Sequence, residues 1–171
     1  MTVQHYAIIP GQLFAGEYPG HFDPEEAVSR LSALADEGVK TFIDLTPTDD
    51  PLEPYEDLLP SAGTGLRYFR HPIRDMDVPK SAEVMHGILN RIREELAAGN
   101  PCYFHCWGGI GRTGTVAGCW FREQGLGPEE ALEAVQALYA TMPKSKGRSH
   151  PYSPQTGVQY DYVRNWPQTN A

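Results

Sequence analysis

A cysteine and an arginine in the stretch YFHCWGGIGRTG have the types and spacing to support chemistry. Five residues separate Cys106 from Arg112, and glycines stand on both sides of the arginine. Glycines let a loop curl until its backbone N–H groups point inward, and a helix that begins near Arg112 would add its positive dipole end. The planar Arg112 guanidinium can hold two phosphate oxygens at once. The loop therefore predicts an anion site, whose field would stabilise Cys106 as a thiolate nucleophile.

The elements on either side of this loop must hold it in place. The apolar stretch CYFH ends just before Cys106 and predicts a buried strand, and a helix is expected from Thr113 to about Glu123. Other patterns predict a hairpin at YAIIPGQLFAG, strands at TFIDLT and LRYFRHPI, helices over 24–37, 81–98 and 128–142, and a last helix carrying Tyr160, Tyr162 and Val163. Strands that alternate with helices imply an α/β fold, with a central, mostly parallel, twisted sheet and helices on both faces. Ligands of such sheets bind at the carboxyl ends of the strands, where this loop begins.

The composition and charge limit which classes of protein are possible. With 171 residues and 40% hydrophobic content, we expect a single domain over residues 1–171. The net charge of −8 disfavours broad binding of nucleic acid or anionic membranes, so any anion must be held locally. There is no secretory signal pattern and no apolar stretch near the length of a membrane helix, which favours the cytoplasm. The three cysteines lack zinc-type spacing and predict free thiols, so neither a metal nor another cofactor is expected.

The motif HCWGGIGRTG resembles the signature of the cysteine-dependent protein tyrosine and dual-specificity phosphatases, which is His-Cys, five residues, then Arg followed by Ser or Thr. A cysteine and an arginine at this spacing would be a weak match alone, but His105, Thr113 and Gly114 make it specific. The stretch FRHPIRDMDVP is similar to the general-acid loop of the small members, especially the kinase-associated phosphatase group, and its acid would be Asp75. The stretches LFAGEYPG and SPQTGVQYDYV also resemble family segments. The resemblance implies a metal-independent phosphatase.

The resemblance also implies a role for each matching residue. The Cys106 thiolate would attack phosphorus to form a phosphocysteine, while Arg112 and the loop N–H groups hold the equatorial oxygens. Asp75 would protonate the leaving oxygen and then act as a general base, with Asp77 as the rival for this role. The Thr113 hydroxyl would hydrogen-bond the sulfur and help the thiolate leave.

The remaining site residues are expected around this centre. His105 resembles the family histidine that orients the loop from beneath, and Gln159 or Gln155 could position the attacking water. Trp107 is expected to pack under the pocket rather than to rim it. The phosphate-binding loop is predicted to comprise Trp107, Gly108, Gly109, Ile110, Gly111 and Arg112.

Several functions are compatible with these residues. The leading hypothesis is dephosphorylation of phosphotyrosine in proteins, extended to phosphoserine and phosphothreonine where the cleft is shallow. A second is hydrolysis of phosphoinositides, inositol phosphates or other small esters, although the absence of lysine in WGGIG favours substrates with few phosphates. A third is phosphate binding without turnover. A sulfurtransferase would lack the upstream acid and the Arg-Thr ending. Two basic groups either guide an anionic substrate or form solvated faces, namely Arg67, Arg70 and Arg74, and Lys144, Lys146 and Arg148.

Overall fold

The computed structural model describes residues 2–167, which form an α/β fold. The strands are β1 (His5–Ile9), β2 (Leu13–Gly16), β3 (Thr41–Asp44), β4 (Arg67–Arg70) and β5 (Cys102–His105). The α-helices are α1 (Pro24–Asp36), α2 (Leu59–Ala62), α3 (Ala82–Ala97), α4 (Gly111–Glu123), α5 (Pro128–Tyr139) and α6 (Gly157–Arg164). Short 3₁₀ turns occupy Glu56–Leu58 and Pro143–Lys146.

The five strands form one sheet in the order β1-β2-β5-β3-β4. Strand β5 lies at its centre, parallel to both β2 and β3, and β4 is parallel to β3. Within residues 2–167 the antiparallel pairing is that of β1 with β2, joined by the tight turn at Pro10 and Gly11, where Gly11 has a φ of 74°. The prediction of a mostly parallel sheet is confirmed. The loop after β5 therefore leaves the carboxyl end of the central strand, where ligands of such sheets bind.

Helices cover both faces of this sheet. Alternate β5 residues point to opposite faces, so Phe104 packs in one buried apolar cluster and Tyr103 in the other. The Phe104 side contains the stripe of α3, including Ile88, and most of the buried side chains of α4 and α5. The Tyr103 side contains Leu31 and Leu34 of α1. The predicted helices on both faces are thus confirmed, and β5 is fixed from both sides.

Most element bounds agree with the predictions, and two helix ends differ. Helix α5 was expected to reach Met142 but ends at Tyr139, because the residue before a proline is driven out of the helical region. Met142 precedes Pro143 and is extended, with φ −78° and ψ 133°. Helix α4 begins at Gly111 rather than Thr113, since the loop winds directly into the first turn.

No helix within residues 2–167 is long and apolar enough to cross a membrane.

Candidate active site

The loop after β5 folds back against the end of β2. Gly109 has a φ of 73°, a backbone conformation that side chains other than glycine rarely adopt. A Cβ at this position would also lie 2.7 Å from the carbonyl oxygen of Gly16 and from the amide nitrogen of Glu17. Both requirements select glycine. The loop can therefore close tightly over the end of the sheet and lead into α4.

The thiol of Cys106 lies at the bottom of a cleft of about 480 Å³. Cys106 is 3% exposed, and the fully buried Thr113 donates a hydrogen bond from Oγ1 to Sγ at 3.0 Å. Thr113 lies in the first turn of α4, whose positive dipole end points at the sulfur side of the loop. The predicted hydroxyl contact with the sulfur is present in the structure. The sulfur thus has a hydroxyl donor and the first turn of α4 beside it.

Arg112 enters the same cleft from the second residue of α4. Its Nη1 donates to Asp50 Oδ2 and to the Ile73 carbonyl, both at 3.0 Å. Its Nη2 lies 3.1 Å from Asp75 Oδ1 in an ion pair that lacks hydrogen-bond alignment. The side chain is 1% exposed, so two carboxylates and a carbonyl fix a buried cation beside the thiol.

Asp50 is a site residue that sequence reasoning missed. It lies in the stretch 46–65, to which the sequence interpretation assigned no site residue. The available signal was its position shortly after β3, because the carboxyl ends of parallel strands meet at one edge of the sheet. The Asp50 side chain is 10% exposed and orients the guanidinium of Arg112.

The two candidate acids lie on different sides of one turn. Asp75 lines the cleft with Cys106 and Arg112, and its side chain is half exposed. Asp77 instead lines a separate groove, and its carboxylate accepts the amide N–H of the next residue at 2.8 Å. Met76, between them, has a left-handed φ of 65°, which turns the chain. The geometry thus favours Asp75 over Asp77.

The expectation for Trp107 was wrong. Its side chain is 47% exposed and lines the cleft instead of packing beneath it. The space under the loop is already filled by Tyr18, whose ring packs edge-on against His105 with centroids 5.4 Å apart. The Tyr18 amide also donates to the Trp107 carbonyl at 2.9 Å, which holds the backbone down and leaves the indole outside. Of the other loop residues, Gly108, Ile110 and Gly111 line the cleft, whereas Gly109 faces the end of β2.

His105 supports the loop from below. Its ring is fully buried, Nδ1 donates to the Cys106 carbonyl at 3.1 Å, and Nε2 accepts the hydroxyl of Tyr55 at 2.6 Å. Burial lowers the pKa of His105, and the carboxylate of Asp44 offsets this only in part, so the ring is neutral at pH 7. This agrees with the expected orienting contact to the loop backbone. Tyr55, which completes it, was not predicted.

Gln159 and Gln155 occupy different places. The buried Gln159 accepts the N–H groups of Gln155 and Thr156 on Oε1, and its Nε2 donates to the Asp77 carbonyl at 3.1 Å. Its amide therefore links α6 to the acid loop. Gln155 is exposed and lines the cleft. Of the two glutamines, Gln155 is the one that lines the cleft with Cys106.

The basic residues of β4 make structural contacts. Arg67 Nε donates to the buried Glu95 at 2.6 Å, and Arg70 Nη1 donates to the Thr46 carbonyl at 2.6 Å. Neither residue lines the cleft.

Lys144 does line the cleft. Its Nζ donates to Glu17 Oε2 at 2.7 Å and to the Gly108 carbonyl at 2.8 Å. The ammonium is thus held against the loop and largely neutralised by Glu17. Among residues 2–167, no group of three or more His, Cys, Asp or Glu side chains is arranged to hold a metal ion.

Around the loop between β5 and α4, the structure brings together a buried thiol that accepts a hydrogen bond from a threonine, a buried arginine and a carboxylate. These groups define the site of a cysteine-dependent phosphatase. The sequence profile of the family described as "Tc-R-P: Polymorphic toxin system, DSP-PTPase phosphatase" matches residues 20–125, more than half of the chain. The chain belongs to this family. The predicted membership of the tyrosine and dual-specificity phosphatase superfamily is confirmed.

Individual proteins agree with this assignment. The chain is 27% identical over 119 residues to "Putative tyrosine phosphatase 067L" of Invertebrate iridescent virus 3, which covers 67% of this chain and 47% of the viral protein. The chain thus spans about half the length of the curated relative it matches. The solved structure of Tk-PTP in the active form is 25% identical, with a TM-score of 0.71 and 94% of each chain covered. Kinase associated phosphatase is 18% identical and shares the fold, with a TM-score of 0.71 and coverages of 95% and 92%.

Proposed function

We propose that this chain dephosphorylates proteins through a phosphocysteine intermediate. Its substrates would be phosphotyrosine and, in the same cleft, phosphoserine and phosphothreonine. One observation carries the proposal: Cys106, Arg112 and Asp75 line a single cleft, in which Thr113 hydrogen-bonds the sulfur. The negative overall charge supports a phosphoprotein in preference to nucleic acid or a membrane surface. Residues 1–171 would act as one domain in the cytoplasm.

The first step transfers the phosphoryl group to the enzyme. The Cys106 thiolate attacks phosphorus in line, so an S–P bond forms as the P–O bond to the leaving group breaks. Asp75 delivers its proton to that departing oxygen. The buried guanidinium of Arg112 binds the equatorial oxygens, and because the phosphate takes its Nη2, the contact with Asp75 at 3.1 Å is released.

The second step returns the thiolate. A water attacks the phosphocysteine, and Asp75, now ionised, accepts the proton as the S–P bond breaks. The Thr113 hydroxyl, 3.0 Å from Sγ, stabilises the negative charge that returns to sulfur. Gln155, which borders the same cleft, is positioned to hold the attacking water.

A second candidate is hydrolysis of phosphoinositides or other small phosphate esters. It is supported by Lys144, whose ammonium lines the cleft and could bind a second anionic group. Against it, Glu17 already pairs with Lys144 at 2.7 Å, which lowers its value as an anion site. Comparison of kcat/KM for phosphopeptides and for phosphoinositide vesicles separates the two candidates.

The test of the phosphatase chemistry is hydrolysis of p-nitrophenyl phosphate against pH in the presence of a chelator. We expect the natural chain to be active, Cys106→Ser to be inactive, and Asp75→Asn to lose most of its rate. If the natural chain binds vanadate but turns over no substrate, it is a phosphate-binding module and the proposal is wrong.

A further inference from the structure

A second cleft, of about 580 Å³, lies directly beside the active-site cleft. Trp107 lines both, so the two clefts meet at this residue. The second cleft is also lined by Tyr18, Phe22, Leu52 and Glu53. A substrate whose phosphate lies against Cys106 therefore has this cleft next to the adjoining part of its chain.

Two aromatic rings of this cleft are exposed to a degree that packing does not explain. Phe22 is 82% exposed and Trp107 is 47% exposed. The Phe22 ring is stacked on His21, with centroids 4.3 Å apart and planes 29° apart. The His21 ring is itself held, since its Nδ1 accepts the amide N–H of Asp23 at 3.0 Å. Exposed aromatic faces that are held in place are typical of binding surfaces.

The charges of this cleft have one sign. Its lining includes the carboxylates of Asp50 and Glu53 and, among the described residues, no lysine or arginine. Asp50 is paired with Arg112, but the exposed Glu53 adds a further negative charge. The Glu53 backbone is anchored, because its carbonyl accepts the hydroxyl of Tyr18 at 2.6 Å. An exposed carboxylate on an anchored backbone, in a cleft that also holds exposed aromatic side chains, is complementary to a cation with an apolar stem.

We infer that this cleft, which we call the flanking cleft, binds an arginine or lysine side chain next to the phosphorylated residue of a protein substrate. The inference rests on the proposed function. The stem of the basic side chain packs on Phe22 and Trp107, and its charged end meets Glu53. A small phosphate ester that occupies the active-site cleft has no group to place there. The flanking cleft therefore assigns a substrate class, namely phosphoproteins with a basic residue beside the phosphate.

The test compares matched phosphotyrosine peptides that carry Arg, Ala or Glu at each position from −2 to +2. We expect kcat/KM to be about tenfold higher with Arg than with Glu at one or more of these positions, as one cation–π contact and one ion pair would give together. In Glu53→Gln and in Phe22→Ala this ratio should fall to about threefold or less. Both side chains are exposed, so these variants should keep the fold.

Controls separate the flanking cleft from the phosphatase chemistry. Glu56→Gln removes an exposed carboxylate outside the cleft and should leave the ratio unchanged. Hydrolysis of p-nitrophenyl phosphate should be the same in all four chains. A natural chain that hydrolyses p-nitrophenyl phosphate but treats all peptides alike would overturn the flanking cleft and leave the phosphatase function standing. The same holds if Glu53→Gln and Phe22→Ala both keep the full ratio. If phosphoinositide vesicles are better substrates than every peptide, both the flanking cleft and the assignment of protein substrates are overturned, and the second candidate function replaces them. A chain that hydrolyses no phosphate ester overturns both proposals.

Discussion

Asp50→Asn tests whether Arg112 depends on its carboxylate partner for catalysis. The Asp50 carboxylate holds Arg112 Nη1 at 3.0 Å, and the guanidinium side chain is 1% exposed. The variant keeps the size of the side chain but replaces a charged acceptor by a neutral one. The guanidinium then has Asp75, the proposed acid, as its remaining carboxylate partner among the described residues. The change acts on Arg112 without touching the reacting atoms.

The expected effect follows from the energy of one charge-assisted hydrogen bond. Replacing it by a hydrogen bond to a neutral acceptor weakens the interaction that orients Arg112 by about 1–2 kcal/mol. If this energy is lost from the transition state, kcat falls by about 5- to 30-fold. The same change removes a negative charge beside the phosphate site. Binding of a phosphate dianion should therefore become tighter, so KM falls or stays constant while kcat drops.

The assay is steady-state hydrolysis of p-nitrophenyl phosphate, with vanadate inhibition as the measure of anion binding. Asp49→Asn is the matched control, because this neighbouring carboxylate is exposed and lines a different groove. Thermal unfolding of both variants shows whether the fold is intact. The reasoning is refuted if Asp50→Asn keeps the natural kcat, or if KM rises while kcat is unchanged.

Three further predictions concern the loop and its support. Thr113→Val should slow hydrolysis of the phosphocysteine by about ten- to a hundredfold, because it removes a hydrogen bond to a charged sulfur. Phosphocysteine should then accumulate, and Thr113→Ser should restore turnover. Gly109→Ala should lower Tm clearly more than Gly65→Ala. Both glycines have a positive φ, but a Cβ at position 109 would lie against the β2 backbone, whereas the space around position 65 is open. Stability should fall as pH drops below about 6.5, since burial lowers the pKa of both His105 and His71 and the unfolded chain then binds more protons. Each histidine changes the free energy of unfolding by at most about 1.4 kcal/mol per pH unit. When this free energy is measured by urea unfolding between pH 5 and 8, it should depend less on pH in His71→Asn than in the natural chain.

Local patterns were sufficient to predict most of the fold. The apolar stripe over 81–98 corresponds to α3 at Ala82–Ala97, and the Pro-Gly turn joins β1 and β2 as expected. A short loop and one helical turn bring Cys106, Arg112 and Thr113 together. Their spacing in the sequence was therefore sufficient to predict that they share one site.

Other parts of the site depend on tertiary packing and could not be read from local patterns. Asp50 and Tyr55 lie far along the chain from the residues they contact, and their roles follow from the order of strands in the sheet. The choice between Asp75 and Asp77 depends on the backbone turn at Met76. Trp107 was misjudged because the sequence does not show that Tyr18, distant along the chain, already packs against His105 under the loop.

Detection of the covalent intermediate tests the central claim most directly. The natural chain is mixed with a phosphotyrosine peptide, quenched in acid during turnover, digested and mapped by mass spectrometry. The mechanism predicts one phosphoryl group on the peptide that contains Cys106, and neither the label nor turnover in Cys106→Ser. Turnover without a label on Cys106, or turnover that survives Cys106→Ser, would contradict it.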